Sequence, residues 1–151
     1  NEAFEGKLFF LQNNFAAYQD YALVGTKGYT FEGPYYLDRW GNVAGWDEER
    51  EEQAKKLVAR EMDRLRESFR MAEEAGYRKF IMFLHYPPTN ILEETSPFTA
   101  IAEEYGVTAV VYSHCHGERR FGDSIRGTFH GISYMLVSGD YLNFHPARIL
   151  P

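Results

Sequence analysis

Cysteine is almost missing: the 151 residues contain one, Cys115, so no intrachain disulfide forms and a reducing, cytoplasmic setting is expected. Long apolar runs are missing as well. None approaches the ~20 residues that cross a bilayer, and no cleavable leader is visible, so no membrane partner is expected. Positive charge is scarce: 16 Lys and Arg stand against 22 Asp and Glu, a formal net charge of -6. That balance excludes a strong nucleic-acid or anionic-lipid surface, which clustered Lys and Arg would have to supply. There is no internal repeat and no low-complexity segment. No Gly-rich phosphate loop precedes a helix and no Gly-x-Ser-x-Gly elbow surrounds Ser113, so neither a P-loop nor a serine hydrolase is indicated.

What is present reads as one ordinary globular unit. The chain is long enough for a single core, and 44% hydrophobic with 25% charged residues excludes disorder as the default. Aromatics are in excess, at 17% with 12 Phe and 11 Tyr, which suggests a well-filled core and an interface to something outside the chain. The chain opens Asn1-Glu2-Ala3 without an initiator Met, and is therefore expected to be processed or cut at its front.

Along the chain, strands come first and helices then alternate with strands. After the apolar run from Lys7 to Leu11, Phe15 to Tyr18 and Tyr21 to Val24 flank Gln19-Asp20 as a hairpin. Gly25, Gly28, Gly33-Pro34 and Gly41 punctuate a loop that carries Tyr35, Tyr36 and Trp40. From Asp47, a candidate N-cap, acidic Glu48, Glu49, Glu51 and Glu52 open a helix that Gly76 stops. Its apolar stripe is Ala54, Leu57, Val58, Leu65, Phe69 and Ala72. Phe80 to Leu84 is apolar throughout, the pattern of a strand covered on both faces of a parallel sheet. Ser96 and Pro97 cap a short helix through Tyr105, Gly106 closes it, and Val107 to Tyr112 is a second buried strand. Helix, strand, helix and strand with short links make those two strands parallel neighbours. Gly127 to His130 and Ile132 to Ser138 read as further strands, and Tyr141 to Phe144 as an edge. The class is α/β, or α+β given this β-rich tail.

Histidines follow both buried strands: His85-Tyr86-Pro87-Pro88 after the first, and Ser113-His114-Cys115-His116-Gly117 after the second. Ligands bind beyond the carboxyl ends of strands in such sheets. Adjacent strands lie about 4.8 Å apart, so His85, His114 and His116 are expected to meet around a metal ion. Taken singly, each histidine reads more simply as a hydrogen-bonding polar residue, and His-x-His is short and common. Placement after consecutive strands is what sets these apart. In extended backbone Cys115 points away from its neighbours and serves as a small filler. His130 and His145 lack a comparable setting and are read as structural. Gly139-Asp140-Tyr141-Leu142-Asn143 approximates Gly-Asp-x-x-Asp but ends in Asn, so it is not that motif; Asp140 instead supports the histidines from behind.

These segments resemble the calcineurin-like metallophosphoesterases, particularly the small bacterial predicted phosphohydrolases of that superfamily. Their motifs run Asp-x-His, Gly-Asp-x-x-Asp, Gly-Asn-His-Asp/Glu, an isolated His after a strand, and Gly-His-x-His. The last two are similar to His85 in Leu84-His85-Tyr86-Pro87-Pro88-Thr89-Asn90 and to His114-Cys115-His116 before Gly117, with Ser113 standing where the pattern has Gly. The likeness also takes in Gly25-Thr26-Lys27-Gly28 and Val137-Ser138-Gly139-Asp140-Tyr141-Leu142.

The resemblance implies the C-terminal half of a four-layer α-β-β-α sandwich, with parallel βαβ units followed by β-strands. Residues 1–151 would then be a single incomplete domain whose partner is its own missing N-terminal half. It implies that His85 and His114 ligate one divalent ion and His116 another, with Mn, Fe, Zn or Ni as candidates, and that Tyr86, Ser113 and Asp140 buttress the ligands or face the phosphoester substrate. No catalytic acid or base is singled out. The three carboxylate-bearing motifs are absent from the chain, so it is expected to hold at most one ion, weakly, and to be inactive alone. The competing expectation is a non-catalytic α/β module with structural histidines or one regulatory zinc.

Overall fold

The structure is a computed structural model that describes residues 9–29 and 48–150, the side chain of Arg50 excepted. The Asp47 cap and the loop aromatics Tyr35, Tyr36 and Trp40 lie outside the described residues. Phe9 and Phe10 belong to no strand and are exposed. The elements are β1 (Phe15–Tyr18), β2 (Tyr21–Thr26), α1 (Glu48–Glu74), β3 (Lys79–Leu84), α2 (Pro97–Glu104), β4 (Ala109–Tyr112), β5 (Gly127–Phe129) and β6 (Ile132–Leu136).

The strands form one mixed sheet in the order β1-β2-β3-β4-β6-β5. β2, β3, β4 and β6 run parallel, while β1 and β5 close the two edges antiparallel. The hairpin after Asn14 forms as its sequence indicates, with Tyr18 paired to Tyr21. β3 and β4 are parallel neighbours, with Met82 opposite Val110. Gly25 sits where a Cβ would come within 2.7 Å of the Phe83 carbonyl oxygen, so any larger residue there would push β2 away from β3.

Both helices pack on one face. Val58, Leu65, Phe69 and Ala72 of α1 and Phe98, Ile101 and Ala102 of α2 bury against Val24, Met82, Val110, Tyr134 and Leu136. Phe69 is the hub. Its ring stacks on Tyr105 at 4.0 Å and meets Phe80 edge-on at 5.2 Å. Ser96 caps α2 by accepting from the amides of Phe98 and Thr99, while the Thr99 hydroxyl accepts from the Ser96 amide. The other face carries Ile81, Ala109 and Val111, bordered by Leu23, Phe83, Val137, Ile149 and Leu150.

One element differs from its sequence reading. Residues 141–144 form turns, because Leu142 N donates to Ser138 O and Phe144 N to Gly139 O, with Asn143 and Phe144 both at positive φ. Local bonds use up the donors that an edge strand would offer to a neighbour, and β5 is the edge instead. The described residues thus form a mixed α/β unit with one sheet and two helices. No described helix is long and apolar enough to cross a membrane.

Candidate metal centre

Because four strands share one direction, Lys27, His85, Ser113 and Val137 emerge together at the carboxyl edge. The strand ends stay bonded to one another beyond the ladders. Lys27 O accepts from the amides of His85 (3.2 Å) and Tyr86 (3.0 Å), His85 O from Ser113 N (3.2 Å), and Tyr112 O from Val137 N (2.8 Å). Pro88 and Thr89, both buried, then fasten the segment after His85. Thr89 pairs with the Ser124 hydroxyl at 2.8 Å and accepts from Ile125 N at 3.2 Å.

His114 sits at φ 65. Cys115 N donates across it to Ser113 O at 2.8 Å, and the His114 amide meets Ser113 Oγ at 2.6 Å. An i to i+2 bond over a residue at positive φ is the pattern of the rarer, strained γ-turn. The His-x-His segment is therefore not extended, contrary to the premise from which Cys115 was read. Cys115 nevertheless lies buried in the core, and burial pushes its thiol up to about 11, so it is a protonated thiol at neutral pH.

The turn swings His114 toward His85. His114 Nδ1 lies 3.2 Å from His85 Nε2, and the ring centroids are 5.1 Å apart. Tyr86 packs against both, 4.9 Å from the His85 ring and 4.4 Å from that of His114. Burial, then the charges of His85, Arg120, His116 and Lys27, lower the His114 pKa below its ordinary 6.5. The ring is accordingly neutral at pH 7, with a lone pair available to an electrophile.

His116 has a different neighbour. Its Nδ1 lies 2.9 Å from Asp140 Oδ1, while Asp140 Oδ2 accepts from Gly117 N at 2.7 Å. An ionised carboxylate only accepts, so the proton sits on Nδ1 of His116 and Nε2 is left unprotonated when the ring is neutral. The Gly117 amide, ahead of His116 and the Tyr141 amide, lowers the Asp140 pKa and keeps the carboxylate charged. Ser138, two residues before Asp140, buries a hydroxyl that has no partner among the described residues.

Of the three imidazoles expected around one ion, His85 and His114 meet and His116 pairs with Asp140. Among the described residues no group of three or more His, Cys, Asp or Glu is placed to hold a metal. His130 lies away from the cluster and pairs with Glu103 at 2.8 Å, and His145 is exposed. Sequence reasoning passed over Lys27 and Arg120, whose charges both act on His114. The β2–β3 pairing that brings Lys27 to this edge was the signal needed, and the hairpin alone does not reveal it.

Fold and edge together define an α/β protein with a histidine pair at the carboxyl ends of parallel strands. No protein-family model, curated protein or solved structure matches the chain at a significant level.

Proposed function

We propose that this chain is the histidine-bearing part of a metal-dependent phosphoesterase, a calcineurin-like metallophosphoesterase that hydrolyses a phosphomonoester or phosphodiester when complete. The observation that carries the reading is the 3.2 Å between His85 Nε2 and His114 Nδ1. Two nitrogens about 2.0–2.1 Å from one tetrahedral ion lie about 3.3 Å apart, so the separation, which is also that of a hydrogen bond between the two rings, fits two ligands of a single metal. His116, held apart by Asp140, suits a ligand of a second ion, with the carboxylate fixing its tautomer. The bridging carboxylates would come from outside these residues, as would a second sheet against the half-buried Leu23 and Phe83.

Once bound, two divalent ions (Mn, Fe, Zn or Ni) supply an activated water and a clamp on the phosphoryl oxygens. This chain's own part is to hold His114 neutral, to press Tyr86 against both rings, and to orient His116 through Asp140. A single buried cysteine suits a cytoplasmic setting. With imidazoles alone to bind it, this chain holds at most one ion, weakly, and turns over no phosphoester by itself.

A second reading, a non-catalytic α/β module with structural histidines or one regulatory zinc, is favoured by the lack of any larger ligand group among the described residues. Calorimetric titration with Zn and Mn separates the two. The phosphoesterase reading expects one weak site that His85→Ala and His114→Ala each remove; unchanged affinity in both variants would sink it. Adding a segment with the Asp-x-His and Gly-Asp-x-x-Asp motifs should then restore hydrolysis of a generic phosphodiester, which a non-catalytic module never shows.

A further inference from the structure

Lys27 and Arg120 bring two positive charges to the rim around the histidine pair, although the whole chain carries a formal net charge of -6. Lys27 follows β2 directly, and its carbonyl is the shared acceptor of the His85 and Tyr86 amides. The lysine backbone is thereby fixed to the residues that carry the site. Its side chain is exposed, and Nζ rests 5.3 Å from the centroid of the Tyr86 ring, the ring that also touches both imidazoles. Tyr29, two residues on, flanks the same ring at 6.5 Å. An ammonium over an aromatic face keeps its charge and gives up little hydration, so it remains able to take a stronger anionic partner.

Arg120 stands on the other segment of the rim. It belongs to the 3-10 turn Glu118–Arg120 that follows His116, where its amide donates to Gly117 O at 2.8 Å and its Nε to Asp123 at 2.8 Å. Tethering through Nε fixes the guanidinium while its two terminal nitrogens remain as donors. The charges of both Lys27 and Arg120 reach His114. Cations gathered at one edge of an acidic protein draw anions there, Lys27 more than Arg120, whose charge Asp123 already pairs.

We infer that Lys27, aided by Arg120, positions a phosphate-like oxyanion beside the His85–His114 pair, so that the ligand class of this edge is a phosphate carrying at least one full negative charge. The inference rests on the phosphoesterase reading for its substrate, and it adds the residue that holds the anion. Lys27 acts on the ligand by charge and hydrogen bonding and takes no part in forming or breaking a bond.

The test uses the chain as it is, with inorganic phosphate as probe, followed by calorimetry or by phosphorus NMR line width, with and without one equivalent of Zn. Lys27→Ala should weaken phosphate binding about ten-fold or more, the usual worth of a charge-assisted hydrogen bond. Lys27→Arg should restore most of it, and Lys55→Ala, which removes an equal charge from exposed α1, should change it less than about two-fold. Melting curves of all three variants establish that each is folded. No phosphate binding by the wild type, or equal binding by wild type and Lys27→Ala, overturns the inference. Zinc titration of the same samples keeps the two ideas apart. Zinc bound through His85 and His114 without Lys27-dependent phosphate binding removes only the lysine's role. Phosphate held by Lys27 without any zinc binding removes the metal centre and leaves an anion site.

Discussion

On one face of the sheet Val24, Met82, Val110 and Leu136 lie buried beneath both helices, whereas on the other only the centre, Ile81, Ala109 and Val111, is buried, and Leu23, Phe83 and, just past β6, Val137 stay half-buried against Ile149 and Leu150. Both faces are largely apolar in sequence, although the second also carries Lys79 and Ser133. Parallel strands with apolar residues on both sides are normally covered twice, because their backbone and side chains have no route to water on either face. The helix side is complete, and the second side is covered in part by the chain's own tail. In the phosphoesterase reading a second sheet packs there, about 10 Å away as in other sandwiches. The histidine edge lies where the two layers would meet.

The contrast is tested first by mutation on each side. Phe69→Ala removes the hub of the helix face and should cost about 3–5 kcal/mol in urea unfolding. Next comes Glu61 of α1, buried at 1% exposure, which accepts from the Thr26 hydroxyl at the end of β2 and from Arg64 Nη1 at 2.6 Å. Glu61→Ala strands both donors and should cost about 2–3 kcal/mol. Phe83→Ala on the half-covered face should cost only about 1–1.5 kcal/mol, since its ring never leaves water completely. If Phe83→Ala proved as costly as Phe69→Ala, the two faces would be equally packed and the need for a second layer would vanish.

The smallest expected effect lies at the edge itself and concerns pH. Burial, ahead of the charge of His85, holds His114 below 6.5 in the folded chain. Between that lowered value and 6.5 the unfolded chain takes up a proton that the folded chain refuses. Stability therefore falls as pH drops from 6.5 through that window and is level above it. Melting temperatures across pH 4 to 8 should show this fall in the wild type, and His114→Ala should flatten it; an identical profile in the variant would remove His114 as its source.

Where local signals acted alone, the sequence was readable. Ser96 followed by Pro97 specifies a cap and a first turn, and the capping box forms with Thr99. Gln19-Asp20 between two β-rich runs specifies the hairpin, and Gln19 takes the positive φ that such a turn needs. The unbroken apolar run before His85 was enough to place that residue at a strand end. The orientation of His114 was not readable, because a positive φ at a non-glycine residue is imposed by bonds around it, here through Ser113 and Cys115. Tyr141 to Phe144 misled for the opposite reason: the β-prone aromatics Tyr141 and Phe144 lose to turn bonds that return to Ser138 and Gly139. Lys27 went unnoticed because its importance arises from the parallel pairing of β2 with β3, a contact between residues more than fifty positions apart.

The most direct measurement of the central claim is long-range nitrogen–proton NMR of the imidazole rings during zinc titration. A metal held by the facing atoms should shift Nε2 of His85 and Nδ1 of His114 together, with one saturation curve, while Nδ1 of His116 keeps its proton and goes on donating it to Asp140. Shifts confined to one ring, or arising at the opposite nitrogens of His85 and His114, would contradict the account.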